Sequence, residues 1–250
     1  MLGRNAMSAP APLISVIVVC KNPGPQLRTV LASVRDQRDA SVETLVIDGA
    51  STDGTCDWLR AEAPPDIRFL SEPDRGLYEA MNKGIAVARG TWVLFLGADD
   101  RLAGTEVLAS AARRLRETPA EVVVGEACFD DGRRYPFAGI GTAVRRNFLH
   151  HQGAFYRRDS LLRHRGFDAG LRVMADYDLN LRLLVAGARF EPLALHVADC
   201  SSGGLSDAGV WLGYGEEIAV RHRYFSAWQC WGWDLGSIAR WLRKRWIRRP

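Results

Sequence analysis

Long apolar runs are missing from this 250-residue chain, and none reaches the roughly 18 residues that a bilayer-spanning helix requires. The opening stretch MLGRNAMSAPAPL has no apolar h-region, so it reads as a disordered tail over residues 1–12 and not as a secretory signal. Cysteine is sparse and odd in number, with Cys20, Cys56, Cys128, Cys200 and Cys230 scattered and no CxxC pair. That pattern supports neither a zinc site nor a disulfide framework and points to a reducing cytoplasm. No GxGxxG follows the first apolar segment, which argues against a nicotinamide-linked oxidoreductase. Internal repeats and low-complexity segments are absent. Net positive charge is missing outside the end of the chain: Arg221 to Pro250 holds eight Arg/Lys and one Asp, a balance of +7, whereas the whole chain nets only +4. The body is therefore mildly acidic, which argues against nucleic acid as a partner.

What is present is an alternation of buried-strand and helix patterns. Ile14 to Cys20 is a continuous β-branched run, as expected of a strand covered on both faces. A helix is predicted from Gln26 to about Gln37, with Leu27, Val30, Leu31 and Val34 on one face. Further strands are expected at Thr44–Ile47, Ile67–Leu70 and Trp92–Leu96. A short helix stopped by Pro64-Pro65 and a longer one over Gly76–Arg89 fall between them. This order implies an α/β fold built on a parallel sheet with right-handed crossovers. Beyond Arg101 the pattern loosens. A helix over Thr105–Arg116, a strand at Glu121–Gly125 and a helix over Asp176–Ala186 stand out. Irregular strands and a mobile loop are expected over Glu126–Asn147.

Three acidic motifs occupy strand ends or helix starts, where an open α/β sheet collects ligands. In IDGASTDGT, Asp48 ends the second strand and is suited to accept from a base N–H or a ribose hydroxyl, while Asp53 reads as a cap. In FLGADD, the adjacent carboxylates of Asp99 and Asp100 repel each other unless a cation or donor lies between them, which suits Mg²⁺ or Mn²⁺ shared with substrate phosphates. In MADYDLNLRL, Asp176 sits on a rigid helix start as a candidate general base, with Asp178 read as structural. Between the first two lies SEPDRGLYEAMNKGIA, where Asp74 and Arg75 lead into a helix N-terminus favourable to an anion and Asn82 follows about one and a half turns on. The pair His150-His151 is open to two readings, a phosphate or acceptor contact and a satisfied surface pair. Gly203 to Ser206 reads as a flexible loop that closes on substrate.

Taken in order, ISVIVVCKN, IDGASTDGT, SEPDRGLYEAMNKGI and HQGAFYRR resemble an inverting glycosyltransferase of family 2 with the GT-A fold, in the bacterial branch that builds cell-surface polysaccharides. The resemblance runs from about Ile14 to Ser206. It implies a Rossmann-like, mostly parallel sheet flanked by helices, with residues 13–100 as the nucleotide-binding half and 101–205 as the acceptor half. It also implies a nucleotide-diphosphate sugar as donor, Mn²⁺ or Mg²⁺ as cofactor, and a glycan or polyprenyl-linked acceptor. By position, Asp48 and Arg75 would lie at the nucleotide, Asp99 would match the last Asp of the DXD motif and Asp176 would be the catalytic base. Two positions depart from the family pattern: Gly97 stands where the first Asp of DXD is usual, and Ala175 where a Glu precedes the base. Gly97 leaves room for an alternative, a non-catalytic nucleotide-sugar-binding protein of the same fold.

Residues 206–250 read as a helical extension, and five of the eight tryptophans lie beyond Ser226. Leu235, Ile238, Leu242 and Trp246 share one face of a helix; Arg240, Arg243, Lys244 and Arg248 take the other. Such a helix either lies on an anionic membrane, at the inner face of the plasma membrane, or packs on the core.

Overall fold

The computed structural model describes residues 11–203 and 211–247. The expected N-terminal tail therefore lies almost wholly outside the described residues, as do residues 204–206 of the expected closing loop and Arg248.

Strand β1 (Ile14–Cys20) is buried at every position, as its unbroken β-branched run requires. It pairs in parallel with β2 (Val42–Asp48) on one side and β4 (Trp92–Gly97) on the other. Strand β3 (Ile67–Ser71) pairs in parallel with β2 and is only half-buried, as an edge strand should be. The crossovers are α1 (Gln26–Arg35), α2 (Thr55–Ala61) and α3 (Leu77–Val87). Parallel pairing thus holds throughout the first half.

Past β4 the sheet becomes mixed. A two-residue strand β5 (Arg101–Leu102) precedes α4 (Val107–Leu115) and β6 (Val122–Phe129). A short β7 (Arg134–Tyr135) hairpins back onto β6, so the stretch after Gly125 is largely ordered into a hairpin and a 3₁₀ turn at Ile140–Thr142. Strand β8 (Ala154–Arg157) lies between β4 and β6, antiparallel to both. Strand β9 (Phe190–Cys200) runs parallel to β6 and antiparallel to β5, completing the order β3-β2-β1-β4-β8-β6-β9-β5. An antiparallel β8 has a direct consequence: its leading end meets the trailing end of β4, so the residues before Ala154 arrive beside those after Gly97.

Side chains alternate across the sheet and build two cores. Ile17, Val19, Leu45 and Ile47 face α3, α5 (Arg158–Arg163) and α6 (Ala175–Val185). Ile14, Val16 and Val18 face α1, α2 and α4. Helix α3 lies so close that a Cβ on Gly84 would stand 2.5 Å from Ile17 Cγ2. Two helices end the chain, α7 (Trp211–Tyr224) against α6 and α8 (Ala227–Ile247) against α7. All five cysteines are free.

Candidate active site

Asp99 and Asp100 form the turn that leaves the tip of β4. Asp100 is buried and folds back to accept the Gly97 N–H at 2.6 Å, while Asp99 is exposed at the cleft. Burial pushes the Asp100 carboxyl above its ordinary range; the Gly97 N–H pulls it partly back and the Asp99 charge adds to the rise. A Cβ at Gly97 would come within 2.9 Å of Asp99 Oδ1 and 3.1 Å of Asp100 Oδ2, so the missing side chain leaves the space before both carboxylates open. Hard oxygen donors in that space suit Mg²⁺ or Mn²⁺. Among the described residues no group of three or more His, Cys, Asp or Glu forms a metal cage, so substrate and water oxygens would complete the coordination.

Asp176 sits in the first turn of α6, buried at the wall of the same cleft, a cavity of about 720 Å³ lined also by Asp99, Asp100 and His151. Its Oδ1 accepts the Tyr177 N–H at 2.7 Å and its Oδ2 accepts Asn147 Nδ2 at 2.8 Å. Asn147 is itself held, since its Oδ1 accepts Asn180 Nδ2 at 3.2 Å, and Asn180 Oδ1 accepts the buried Tyr156 hydroxyl at 3.1 Å. His151 reaches the cleft in the 3₁₀ turn before β8, with Nδ1 3.6 Å from Asp176 Oδ2 and no hydrogen-bond partner. Its neighbour His150 instead packs against Phe129 and Tyr135, with Nδ1 2.8 Å from Gln152 Oε1, and burial lowers its pKa. Both histidines line the cleft.

The Asp48 turn is built differently. Asp48 is buried at the tip of β2, and its carboxylate accepts the Ser51 N–H at 3.0 Å, the Ser71 hydroxyl at 2.7 Å, the Cys56 thiol at 3.0 Å and the Ser51 hydroxyl. Burial raises this carboxyl, but the bonds from Ser51, Cys56 and Ser71 outweigh it and hold the group below its ordinary range. The side chain is thus committed to shaping the turn. Asp53 takes Thr55 and Gly24 in the same way. Asp74 caps the Gly76 N–H at 3.0 Å and lies against Gly49, which brings it next to the Asp48 turn. Across β1, the register sets this turn about 10 Å from the tip of β4.

Two further expected residues are engaged within the protein. Arg75 is exposed and ion-paired with Glu79 at 2.6 Å. Asn82 spends its whole amide on Phe167, donating to its carbonyl and accepting its N–H, each at 2.8 Å, and does not line the cleft. Asp178, read as structural, is buried and bonded to Arg182, Arg223 and Tyr224.

Several cleft residues escape the sequence reading. Asn147 and Asn180 lack a motif, although a buried Asn four residues after Asp176 shares its helix face. Arg146 and Arg172 line the cleft with no ion-pair partner among the described residues. Tyr214 and Glu217 of α7 and Arg240 of α8 form its far wall. Glu216 of α7 accepts the N–H groups of Arg172, Val173 and Met174, fixing the entry to α6.

A family profile described as Glycosyl transferase family 2 matches residues 15–179. The chain is 34% identical over 179 residues to the PGL/p-HBAD biosynthesis glycosyltransferase of Mycobacterium bovis (strain BCG / Pasteur 1173P2), covering 69% of this chain and 70% of that protein. Among solved structures it resembles S. aureus TarS 1–349 in complex with UDP-GlcNAc, with a TM-score of 0.67 and 19% identity; the match covers 83% of this chain but only 64% of that one. It also resembles the mannosyltransferase PcManGT from Pyrobaculum calidifontis in complex with GDP-Man and Mn²⁺, with a TM-score of 0.65, 21% identity and coverage of 96% and 76%. At those identities the structural likeness is one of fold.

Proposed function

The chain belongs to glycosyl transferase family 2, and from that premise we propose that it moves a hexose or related sugar from a nucleotide-diphosphate sugar to an acceptor hydroxyl with inversion. The observation that carries this reading is the shared cleft of Asp99 and Asp176. It has a carboxylate for a cation at one wall and a positioned base at the other.

In this reading the nucleotide lies over the Asp48 and Asp74 turns and its diphosphate reaches the tip of β4. Asp99, backed by Asp100, would hold the divalent cation, which when bound neutralises negative charge on the diphosphate. Arg146 and Arg172 have no carboxylate partner among the described residues and suit a further anionic group. Asp176 takes the proton of the acceptor hydroxyl as that oxygen attacks the anomeric carbon. Two N–H donors, from Tyr177 and Asn147, aim its carboxylate. The bond from the anomeric carbon to the diphosphate oxygen breaks in the same displacement, the nucleoside diphosphate leaves with the electron pair, and the carbon is inverted. Solved neighbours captured with UDP-GlcNAc and with GDP-Man and Mn²⁺ support a nucleotide sugar as donor.

A thermal-shift panel of nucleotide sugars with and without Mn²⁺ tests the binding half, because a ligand of the folded state raises Tm. One donor should raise Tm more with Mn²⁺, and Asp99→Ala should erase that increment. Turnover should then fall about 100- to 10,000-fold in Asp176→Asn, the range for loss of a positioned base, while donor binding persists. Donor binding with no turnover by wild type on any acceptor would favour the non-catalytic alternative that Gly97 leaves open. A product of retained anomeric configuration would overturn the inverting mechanism.

A further inference from the structure

Helix α8 is turned inside out relative to an ordinary surface helix. Its polar side faces the protein. Arg240 donates to both oxygens of Glu217, Ser237 and Cys230 are fully buried, and Asp234 meets the buried Arg221. Its apolar side faces out: Trp228 is 82% exposed, Trp231 57%, Leu235 57%, Leu242 48% and Trp246 78%. At 3.6 residues per turn these five side chains form one narrow stripe, about 27 Å long from Trp228 to Trp246. Arg243 and Arg245 are exposed and flank the stripe on opposite sides, Arg245 with its guanidinium 5.5 Å from the Trp241 ring. An apolar patch of this size on a monomer's surface marks something that covers it.

We infer that α8 lies flat on an anionic lipid surface, with the tryptophan stripe in the headgroup–acyl boundary and the flanking arginines at the lipid phosphates. Charge selects this occupant. The two bordering arginines repel their own copies in a second chain and attract an anionic bilayer, where each contributes about 1 kcal/mol. Tryptophan is suited to that boundary, and a helix with a polar inner face and aromatic outer face lies in it without crossing. No described helix is long and apolar enough to span. The placement also joins two surfaces, because Tyr214, Glu217 and Arg240 on the inner side of α7 and α8 form a wall of the cleft. A lipid surface under α8 would sit against the wall of the proposed transfer site. The contact itself is independent of that reading, since it can be measured without turnover.

The test is vesicle co-sedimentation of the full chain, with phosphatidylcholine alone and with phosphatidylcholine containing phosphatidylglycerol. The protein should pellet preferentially with the anionic vesicles, with blue-shifted tryptophan emission that brominated acyl chains quench. Arg243→Gln with Arg245→Gln should weaken the anionic preference about fivefold per arginine. Trp228→Ser with Trp231→Ser and Leu242→Ser should abolish binding while Tm and circular dichroism stay at wild-type values, since these side chains touch little of the core. Absence of binding to either vesicle, or binding that the triple variant retains, overturns the inference. Self-association in solution that the triple variant abolishes, without vesicle binding by wild type, overturns it in favour of a second copy on the stripe.

Discussion

Asn147 ends a buried amide chain that starts at the Tyr156 hydroxyl and passes through Asn180. Because Asn180 occupies its oxygen, Asn147 can present only its NH₂ to Asp176. For the base proposed above it is then a positioning residue, and its loss should lower kcat more than it raises the donor KM. Asn147→Ala is expected to cost about 1–3 kcal/mol of transition-state stabilisation, the scale of an unmade buried hydrogen bond. Asn147→Asp should be worse than Ala, since it sets a like charge against the base. Steady-state kinetics on both variants, with Tm as the control for folding, checks this order. At this scale the sequence reveals the carboxylates but not their supports. Asp48, Asp99 and Asp176 stand at strand tips or a helix start and can be found by position. Whether a carboxylate is open, like Asp99, or enclosed by Cys20, Ser51, Cys56 and Ser71, like Asp48, depends on partners up to 28 residues away. Asn82 illustrates the same limit: its helix was legible, while its partner Phe167 comes from a remote loop.

The elements of the first half were readable because each is locally determined. Strands β1 and β4 are unbroken apolar runs, and the proline pair and Gly90 stop the intervening helices. Gly84 is where this local order meets packing. Ala there would drive a methyl into Ile17 and Ile47, and overpacking of this kind costs about 1–3 kcal/mol. Chemical denaturation should show Gly84→Ala destabilised by that amount, despite the better helix propensity of Ala. The second half was less legible for a different reason. Strand direction is not written in local periodicity, so nothing in Ala154–Arg157 marks β8 as antiparallel. Strand β9 carries no strand signature of its own, since Pro192 and the charged residues along it break an apolar pattern.

For the molecule as a whole, one fully buried cation, Arg221 of α7, joins α8 to α7 and to the loop before β8. Arg221 donates to the Arg145 carbonyl at 2.8 Å and to Ser237 at 3.2 Å, and pairs with Asp234 and Glu217. Arg221→Leu leaves buried carboxylates short of their counter-charge and should cost about 3–5 kcal/mol. Limited proteolysis should then cut between α7 and α8 in the variant well before wild type is cut. The composition foretold a basic, tryptophan-rich extension but not which face would turn inward, because that choice is made by Glu217 and Arg221 on the preceding helix. Strand β8 carries the last consequence. It is hydrogen-bonded on both sides, to β4 and to β6. A hinge between the two halves would have to tear backbone bonds out of the middle of a sheet, so both halves share one stiff floor. Opening for a bulky donor and release of its spent nucleotide must then be the business of the rim, above a floor that does not bend.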